Sequence, residues 1–267
     1  MTCAITVRSV EVGPPPGARA RVGLISLGSG MTTEGELHQM LAHDGVLLLT
    51  TRISDSDSVS LADLAAMQGD LARAAGTLRP AFPLSVVAYG CTSGAIAIGE
   101  AKIAEAIRSV HGDAAVTDQF HSSVAALRSL GARRIALVSP YTTAVTAAMR
   151  DHLEMAGIEV VHAVTFGLTL GSEMCSVAPD AVLAATVEAD RDDIDALFIS
   201  CGGLRTVGIL DEAERRTGKP VISSNQSLAW HALRLAGIDD SLVGYGRLFG
   251  SPLLDRSDGR VRPQVAE

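Results

Sequence analysis

Residues 197–237 read LFISCGGLRTVGILDEAERRTGKPVISSNQSLAWHALRLAG, and this stretch identifies the fold class. A short aliphatic run at 196–200 predicts a buried strand, and residues 207–216, which stop before Gly218, have the composition of a helix with a solvated face. A second aliphatic run at 220–223 predicts another strand, and an apolar helix follows it. Strands that alternate with helices predict a parallel sheet, so the stretch indicates an α/β protein.

The same alternation extends toward the N-terminus. Five further aliphatic runs predict strands, at residues 21–27, 46–53, 84–90, 134–139 and 159–165. Apolar residues at helical spacing predict two helices between them, one marked by Leu61, Leu64, Ala65 and Leu71 and one by Val124, Leu127 and Leu130. Residues 241–250 predict a last short strand. We expect ligands to bind beyond the carboxyl ends of these parallel strands.

Composition narrows the function classes. The 267 residues include 22 Lys and Arg against 30 Asp and Glu, so the formal net charge is -8 and nothing indicates a surface for nucleic acid or an anionic membrane. Aromatic residues make up only 3% of a chain that is 47% hydrophobic, and 26 residues are glycine. An aliphatic core with tight turns is typical of parallel α/β proteins.

Both ends of the chain are predicted to lie outside the core. Pro14, Pro15 and Pro16 cannot continue a helix or a central strand, so residues 1–18 are predicted as a flexible arm and residues 251–267 as a polar tail. The first residues lack the apolar stretch of a signal peptide, and no run of about 20 apolar residues indicates a membrane span. We expect a cytoplasmic protein with free thiols.

Two predicted strand ends carry a cysteine followed by small residues. Cys91 begins the run CTSG after the strand at 84–90, and Cys201 begins the run CGG after the strand at 196–200, 110 residues later. These matching positions predict an internal duplication of the architecture. A cysteine at a helix N-terminus is expected to have a lowered pKa, because unpaired amides and the helix dipole stabilise its thiolate. Two such thiols on one pocket are expected to take a proton from one face of a substrate carbon and return it to the other.

Other residues are given simpler interpretations. A buried cysteine is often only a small apolar residue, and we apply that interpretation to Cys3 and Cys175. The four cysteines are too few and scattered for a disulfide scaffold and lack zinc-site spacing, and the seven histidines show no metal-ligand spacing. Gly28 and Gly30 form only a fragment of a dinucleotide-binding fingerprint, because Thr33 occupies the third glycine position. These residues therefore predict neither a metal site nor a nicotinamide site.

Four segments match a known family: VGLISLGSGMTTEGEL at 22–37, YGCTSGAIAIGE at 89–100, SPYTTAV at 139–145 and the block 197–237. On these segments the sequence resembles the aspartate/glutamate racemase superfamily, in the branch of maleate cis-trans isomerases, arylmalonate decarboxylases and the ectoine-utilisation protein A group. The resemblance implies two pseudo-symmetric α/β lobes, each a parallel sheet flanked by helices, with the active site between them. We place the first lobe at residues 19–118 plus 226–250 and the second lobe at 119–225.

The resemblance also implies roles for single residues. Cys91 and Cys201 match the family's two cysteine positions and are predicted to be catalytic. The residues expected to bind the substrate are Thr92, Ser93, Tyr141, Gly202, Gly30 and Asn225. An asparagine at a helix mouth serves equally well as an N-cap, so Asn225 keeps both interpretations.

Two departures from the family's pattern bear on the reaction. Maleate isomerases typically carry an asparagine where this chain has Gly30, and a second family asparagine is replaced in the stretch LTLGSEMCSVAPD, which offers Ser172 or Glu173. A carboxylate such as Glu173 would repel a second substrate carboxylate. Gly30 is similar to the decarboxylase and ectoine-utilisation groups, but the decarboxylase keeps only the second of the two cysteines.

We therefore expect a cofactor-independent isomerase or racemase that uses Cys91 and Cys201 on a small carboxylate or dicarboxylate. The reaction is either cis-trans isomerisation through addition of the Cys91 thiolate to a double bond, or proton transfer at the α-carbon between two cysteines. Decarboxylation with Cys201 as proton donor and non-catalytic binding of a metabolite are the alternatives. Family analogy also predicts a homo-oligomer, with neither nucleic acid nor membrane as a partner.

Overall fold

The computed structural model describes residues 5–42 and 45–254, and parallel sheets form the framework of these ranges. The strands of the first sheet are β1 (Ala20–Leu27), β2 (Val46–Ile53), β3 (Val86–Tyr89) and β4 (Ala115–Asp118). Those of the second sheet are β5 (Arg134–Ser139), β6 (Glu159–Thr165), β7 (Ala196–Ile199) and β8 (Val221–Ser223). The first sheet has the order β2-β1-β3-β4 and the second has the order β6-β5-β7-β8.

The two sheets repeat one topology, which confirms the predicted two-lobe α/β fold. In each sheet the strand that comes first in sequence lies second in the spatial order, and the third strand pairs beside it. These third strands, β3 and β7, are completely buried. Aliphatic residues fill both, apart from the aromatic residues Tyr89 and Phe198. Cys91 and Cys201 follow these equivalent strands, so the duplication predicted from their spacing is present in the architecture.

Helices cover both faces of the sheets. The α-helices of the described residues are α1 (Thr33–Leu41), α2 (Leu61–Ala66), α3 (Leu71–Ala75), α4 (Thr92–Ile98), α5 (Glu100–Arg108), α6 (Gln119–Ser129), α7 (Thr143–Met155), α8 (Gly171–Ser176), α9 (Pro179–Glu188), α10 (Leu210–Thr217) and α11 (Ser224–Leu235). Helix α11 follows the second sheet in sequence but packs on α1, α6 and β3, so the chain returns to the first sheet. The lobe boundaries at 118/119 and 225/226 stay a prediction.

Three elements differ from the sequence predictions. Strand β4 was not predicted, because its four residues, AVTD, include only two apolar ones and form no recognisable aliphatic run. The predicted strand at 241–250 is wrong, since Gly244 and Gly246 adopt positive φ angles of 94° and 72° and a 3₁₀ helix follows at Arg247–Gly250. The helix predicted through Leu61 and Leu71 is interrupted by a 3₁₀ turn at Met67–Asp70.

Other predictions agree with the structure. The predicted helix at 207–216 is a 3₁₀ turn at Val207–Ile209 followed by α10, which ends at Gly218 with a φ of 71°. Residues 5–15 have no regular secondary structure, and the flexible arm at 1–18 stays a prediction. Cys3 and the tail beyond residue 254 lie outside the described residues. No helix in the described ranges has the length and apolarity needed to cross a bilayer.

Candidate active site

A cavity lies where the carboxyl ends of the two sheets meet. Seven of the eight sequence-predicted site residues line it: Gly30, Cys91, Thr92, Ser93, Tyr141, Cys201 and Gly202. Asn225 is absent from the lining. Both lobes contribute, because Gly30 and Cys91 follow strands of the first sheet while Tyr141 and Cys201 follow strands of the second. The fold therefore brings the two matching cysteines to one cavity.

Cys91 begins helix α4. Its backbone is extended, and its Sγ accepts a hydrogen bond of 3.3 Å from the N–H of Gly94, so the thiol itself caps the helix. The Ser93 hydroxyl lies 3.9 Å from the same sulfur. A side chain at Gly94 would lie 2.5 Å from the Tyr89 hydroxyl and 2.9 Å from Cys91 Sγ, so only glycine fits here. Cys91 is thus held at the mouth of α4, as predicted.

Cys201 does not begin a helix, and the prediction is wrong on this point. Residues 202–206 form a turn and loop before the 3₁₀ turn at Val207–Ile209. Cys201 has a φ of 125° and is the one described residue other than glycine in which φ is positive. Its Sγ accepts a hydrogen bond of 3.3 Å from the Gly203 N–H, and its own N–H donates to Ser224 Oγ at 3.1 Å. Cys201 therefore has a strained backbone conformation, and it does not lie at the helix N-terminus that the sequence predicted.

The prediction of lowered thiol pKa values is also wrong. Burial raises the pKa of Cys201 to about 11, although hydrogen bonds from the Tyr141 hydroxyl and the Gly203 N–H act in the opposite direction. Burial also raises the pKa of Cys91, and the Gly94 N–H and the Ser93 and Tyr89 hydroxyls offset some of that effect. Desolvation of a thiolate therefore outweighs the nearby donors at both cysteines. Both cysteines are neutral thiols at pH 7.

We expect the alkylation rate of Cys201 to keep rising with pH where an ordinary thiol has levelled off. With a pKa of about 11, its thiolate fraction rises about tenfold per pH unit between pH 7 and 10. Iodoacetamide labelling followed by peptide mass spectrometry measures this for Cys201 alone. The urea-unfolded chain is the control, and its labelling rate should be half-maximal at about pH 8.5. A half-maximal rate at or below about pH 9 in the folded protein would contradict the raised pKa.

Tyr141 lies between the two thiols. Its phenol is buried, and its pKa is raised well above the usual range by burial and then by the neighbouring Cys201 and Cys91. The side chains of Cys201 and Ser93 both affect the pKa of this hydroxyl, Cys201 raising it and Ser93 lowering it. The phenol therefore stays protonated and is a permanent donor to an anion in the cavity.

Gly202 admits no side chain. A Cβ atom there would lie 2.6 Å from Thr33 Oγ1 and 2.7 Å from both side-chain polar atoms of Gln119. Its carbonyl accepts hydrogen bonds from Thr33 Oγ1 at 3.1 Å and from Asn225 Nδ2 at 3.0 Å. The backbone of residues 202–206, here called the Cys201 loop, therefore contacts the first lobe directly at Gly202.

The side chains of Thr92 and Asn225 are hydrogen-bonded to other groups of the protein. The Thr92 hydroxyl lies 2.9 Å from Ser224 Oγ and 3.2 Å from Gln119 Oε1. Asn225 is buried and bonded on both sides, and it is not the N-cap of α11 because Ser223 fills that position in a capping box with Gln226. The backbone N–H of Thr92, in the first turn of α4, is still available to a ligand. Asn225 lies outside the cavity lining and bonds to residues that surround the site.

Ser172 and Glu173, the residues offered in place of the second family asparagine, have different partners in the structure. Glu173 points back to its own helix, where it accepts hydrogen bonds from the N–H groups of Leu170 at 3.3 Å and Thr169 at 3.4 Å. Ser172 donates to Asp57 of the first lobe through its N–H at 2.7 Å and its hydroxyl at 2.6 Å. Neither residue lines the cavity, but the neighbouring Cys175 does.

The rest of the cavity lining is apolar and acidic. Its apolar residues are Leu27, Met31, Val59, Leu64, Met67 and Met174. Asp55 and Asp63 also line the cavity, and no described Lys, Arg or His does. Asp55 is held by the Ser29 N–H at 2.9 Å and by the Ser29 hydroxyl. The hydrogen-bond donors of the described lining are therefore neutral groups.

Sequence reasoning missed two polar residues behind the thiols, Glu36 and Gln119. Both are buried, and both accept hydrogen bonds between the predicted lobes, Glu36 from Thr206 and Gln119 from Thr92. One signal could have revealed Glu36, because it shares a helical face with the buried Leu37 and Met40 of α1. In the described ranges no group of three His, Cys, Asp or Glu side chains is placed to hold a metal ion.

Comparisons with known proteins place the chain beside two enzymes. A family model described as arylmalonate decarboxylase matches residues 89–249. The chain is 29% identical to the maleate isomerase of Nocardia farcinica over 239 residues, which cover 85% of this chain and 94% of that protein. It is 36% identical to the arylmalonate decarboxylase of Bordetella bronchiseptica over 126 residues, or 46% of this chain and 52% of that protein.

A solved structure of a maleate isomerase also resembles this chain. The maleate cis-trans isomerase of Nocardia farcinica has been solved as a cysteine-to-serine mutant with a covalently bound succinylcysteine intermediate. It superposes with a TM-score of 0.80 at 27% sequence identity and covers 86% of this chain and 98% of its own. A cysteine of that neighbour therefore forms a covalent bond to the reacting molecule.

Proposed function

Because the chain belongs to the arylmalonate decarboxylase family, we propose that it is an enzyme that moves a proton on and off the carbon next to a carboxylate, as a racemase or isomerase. One observation carries this proposal. Cys91 and Cys201 follow equivalent strands of the two lobes and line a single cavity. A decarboxylase that protonates its intermediate needs one proton donor, whereas exchange of a proton between two faces of a carbon needs two.

The two thiols differ in a way that suits these roles. The raised pKa of Cys201, about 11, makes it the proton donor of the pair. Cys91 has three partners that offset its burial, Gly94, Ser93 and Tyr89, so it is the thiol that more readily becomes a thiolate. In one direction Cys91, after it has lost its own proton to solvent, takes the proton from the α-carbon as a thiolate, and the Cys201 thiol gives its proton to the opposite face. The thiolate is then on Cys201, and the reverse reaction restores it to Cys91.

The intermediate of this reaction is an enediolate, which needs hydrogen-bond donors on its oxygens. The Tyr141 phenol and the Ser93 hydroxyl are the side-chain donors at the thiol end of the cavity. The first-turn N–H groups of Thr92 and Ser93 in α4 have no acceptor within their own helix. We propose that these groups bind the substrate carboxylate, with Gly30 and Gly202 lining the cavity beside it.

The lining of the cavity favours a substrate with one carboxylate and an apolar substituent. Methionine and aliphatic side chains line the cavity, and Asp55 and Asp63 would repel a second carboxylate. Such a substrate is an α-substituted carboxylic acid with a hydrogen on the α-carbon. Its racemisation requires both thiols, together with the donors that stabilise the enediolate.

Cis-trans isomerisation of maleate is the second candidate. The similarity to the Nocardia farcinica maleate isomerase along 85% of this chain favours it, as does the covalent succinylcysteine in that neighbour. In this version the Cys91 thiolate adds to the double bond while the Cys201 thiol protonates the neighbouring carbon, and the new single bond rotates. Cys201 then takes the proton back as the Cys91 thiolate leaves. The apolar and acidic lining of the cavity counts against a substrate with two carboxylates.

Incubation in deuterium oxide followed by proton NMR tests the proposal. The panel contains each enantiomer of α-phenylpropionate, maleate and phenylmalonate. We expect deuterium at the α-carbon of the phenylpropionates, with loss of optical purity. Conversion of maleate to fumarate without that exchange would support the second candidate instead. Loss of carbon dioxide from phenylmalonate alone, or no reaction with any compound, would overturn the proposal of two-thiol proton transfer.

A further inference from the structure

The Cys201 loop is held in place from the other lobe. Helix α1 of the first lobe begins beside this loop, and its first two hydroxyls donate into it. Thr32 Oγ1 donates to the Gly203 carbonyl at 2.8 Å, and Thr33 Oγ1 donates to the Gly202 carbonyl at 3.1 Å. These contacts fix the two peptide units that follow Cys201, whose φ of 125° is unfavourable for a residue with a side chain.

The buried Glu36, one turn further along α1, holds the end of the same loop. Its carboxylate accepts the N–H groups of Thr206 at 2.5 Å and Val207 at 2.9 Å. It also accepts the Thr206 hydroxyl at 3.0 Å and Asn225 Nδ2 at 2.7 Å. Asn225 Nδ2 in turn donates to the Gly202 carbonyl at 3.0 Å. Glu36 therefore acts on both ends of the loop, directly at residue 206 and through Asn225 at residue 202.

All of these hydrogen bonds to Glu36 come from the second lobe and α11. The donors belong to Thr206, Val207 and Asn225, and none belongs to the Cys91 segment, 89–94. Asn225 Oδ1 accepts Gln119 Nε2 at 2.5 Å, and Gln119 Oε1 accepts the Thr92 hydroxyl at 3.2 Å, so this path reaches the Cys91 segment through two further bonds. The carboxylate is thus tied more directly to the geometry of Cys201 than to that of Cys91.

We propose that Glu36 is a positioning residue for Cys201, which sets the direction from which this thiol reaches the substrate carbon. The inference rests on the proposed function, because it assigns Cys201 to one face of the carbon and Cys91 to the opposite face. A small displacement of a reacting group lowers the rate of its own step strongly. Loss of the Glu36 carboxylate therefore impairs proton transfer on one face and leaves the other face nearly intact.

The test compares α-proton exchange of the two enantiomers of α-phenylpropionate in deuterium oxide. Exchange is the informative rate, because the two enantiomers are equally stable and the two racemisation rates must fall together. Cys201→Ala and Cys91→Ala first identify which enantiomer each thiol deprotonates. In Glu36→Gln the amide group turns a donor toward Thr206, Val207 or Asn225, which are already donors.

We expect Glu36→Gln to slow exchange of the Cys201-dependent enantiomer by about 10²-fold, and that of the Cys91-dependent enantiomer by less than about threefold. Glu34→Gln is the matched control, since Glu34 lies on the same helix in an ion pair with Arg52 and should change neither rate. Thr206→Val removes one donor while the carboxylate stays paired, and it should give the same asymmetry to a smaller degree. This second variant keeps the test valid if Glu36→Gln does not fold.

Equal slowing of both enantiomers in Glu36→Gln and Thr206→Val would show a general structural role and overturn the inference. Unchanged exchange in both variants would overturn it as well. These outcomes are distinct from failure of the proposed function, in which the wild-type protein exchanges neither enantiomer.

Discussion

Replacement of Cys201 by alanine is expected to lower turnover and α-proton exchange by about 10²–10⁴-fold, the usual contribution of a positioned acid or base. The thiol has a raised pKa of about 11 and is buried against Tyr141, so it carries a proton at neutral pH. Isomerisation, racemisation and decarboxylation each need that proton at this position. The loss is therefore expected with every member of the substrate panel that the wild-type protein converts.

Alanine is the informative substitution because of the backbone at Cys201. Its φ of 125° disfavours any residue with a Cβ, so cysteine and alanine carry the same strain. Glycine would relieve that strain and mix a gain of stability with the loss of the thiol. Thermal unfolding of Cys201→Ala should stay close to that of the wild-type protein. Turnover within about threefold of the wild-type rate would contradict a catalytic role for this thiol.

The same variant separates an enzyme from a binding protein. The donors proposed to bind the carboxylate, Tyr141, Ser93 and the first-turn amides of α4, are unchanged in Cys201→Ala. Calorimetry should therefore detect binding of α-phenylpropionate to the variant as well as to the wild-type protein. A binding protein shows this affinity without any exchange in the wild-type chain.

Much of the framework could be predicted from the chain alone because buried parallel strands are continuous aliphatic runs. Seven of the eight strands were predicted in this way, and β4 was missed because half of its four residues are polar. The position of Cys91 at the start of α4 also followed from local sequence, since a strand, a cysteine and a small-residue turn are adjacent. These features depend on near neighbours in the chain.

The chemistry of the site depends on distant neighbours and could not be predicted in the same way. A helix terminus predicts lowered thiol pKa values, but the sequence does not reveal that packing between distant segments buries both thiols and raises these values. The backbone of Cys201 is set by contacts with Thr32 and Thr33, which lie about 170 residues earlier in the chain. Asn225 was expected at the substrate, but its amide is consumed by Glu36 and Gly202.

Replacement of Cys91 by glycine is the experiment that distinguishes the proposed reaction from decarboxylation. Two-thiol proton transfer needs Cys91 as the second acid or base, so racemisation is expected to fall by about 10²–10⁴-fold. A decarboxylase needs only the Cys201 thiol, so it would keep its activity on phenylmalonate in this variant. The ratio of the two activities before and after the substitution is therefore the quantity to measure.

A second variant shows whether the loss in Cys91→Gly is chemical. Cys91 Sγ also caps α4 by accepting the Gly94 N–H at 3.3 Å, and glycine removes that cap. Cys91→Ser restores an oxygen that can cap the helix but ionises far less readily than a thiol. We expect Cys91→Ser to recover thermal stability without recovering racemisation. If either variant racemises α-phenylpropionate at the wild-type rate, one thiol is sufficient, and the second must be explained as a helix cap and a wall of the cavity.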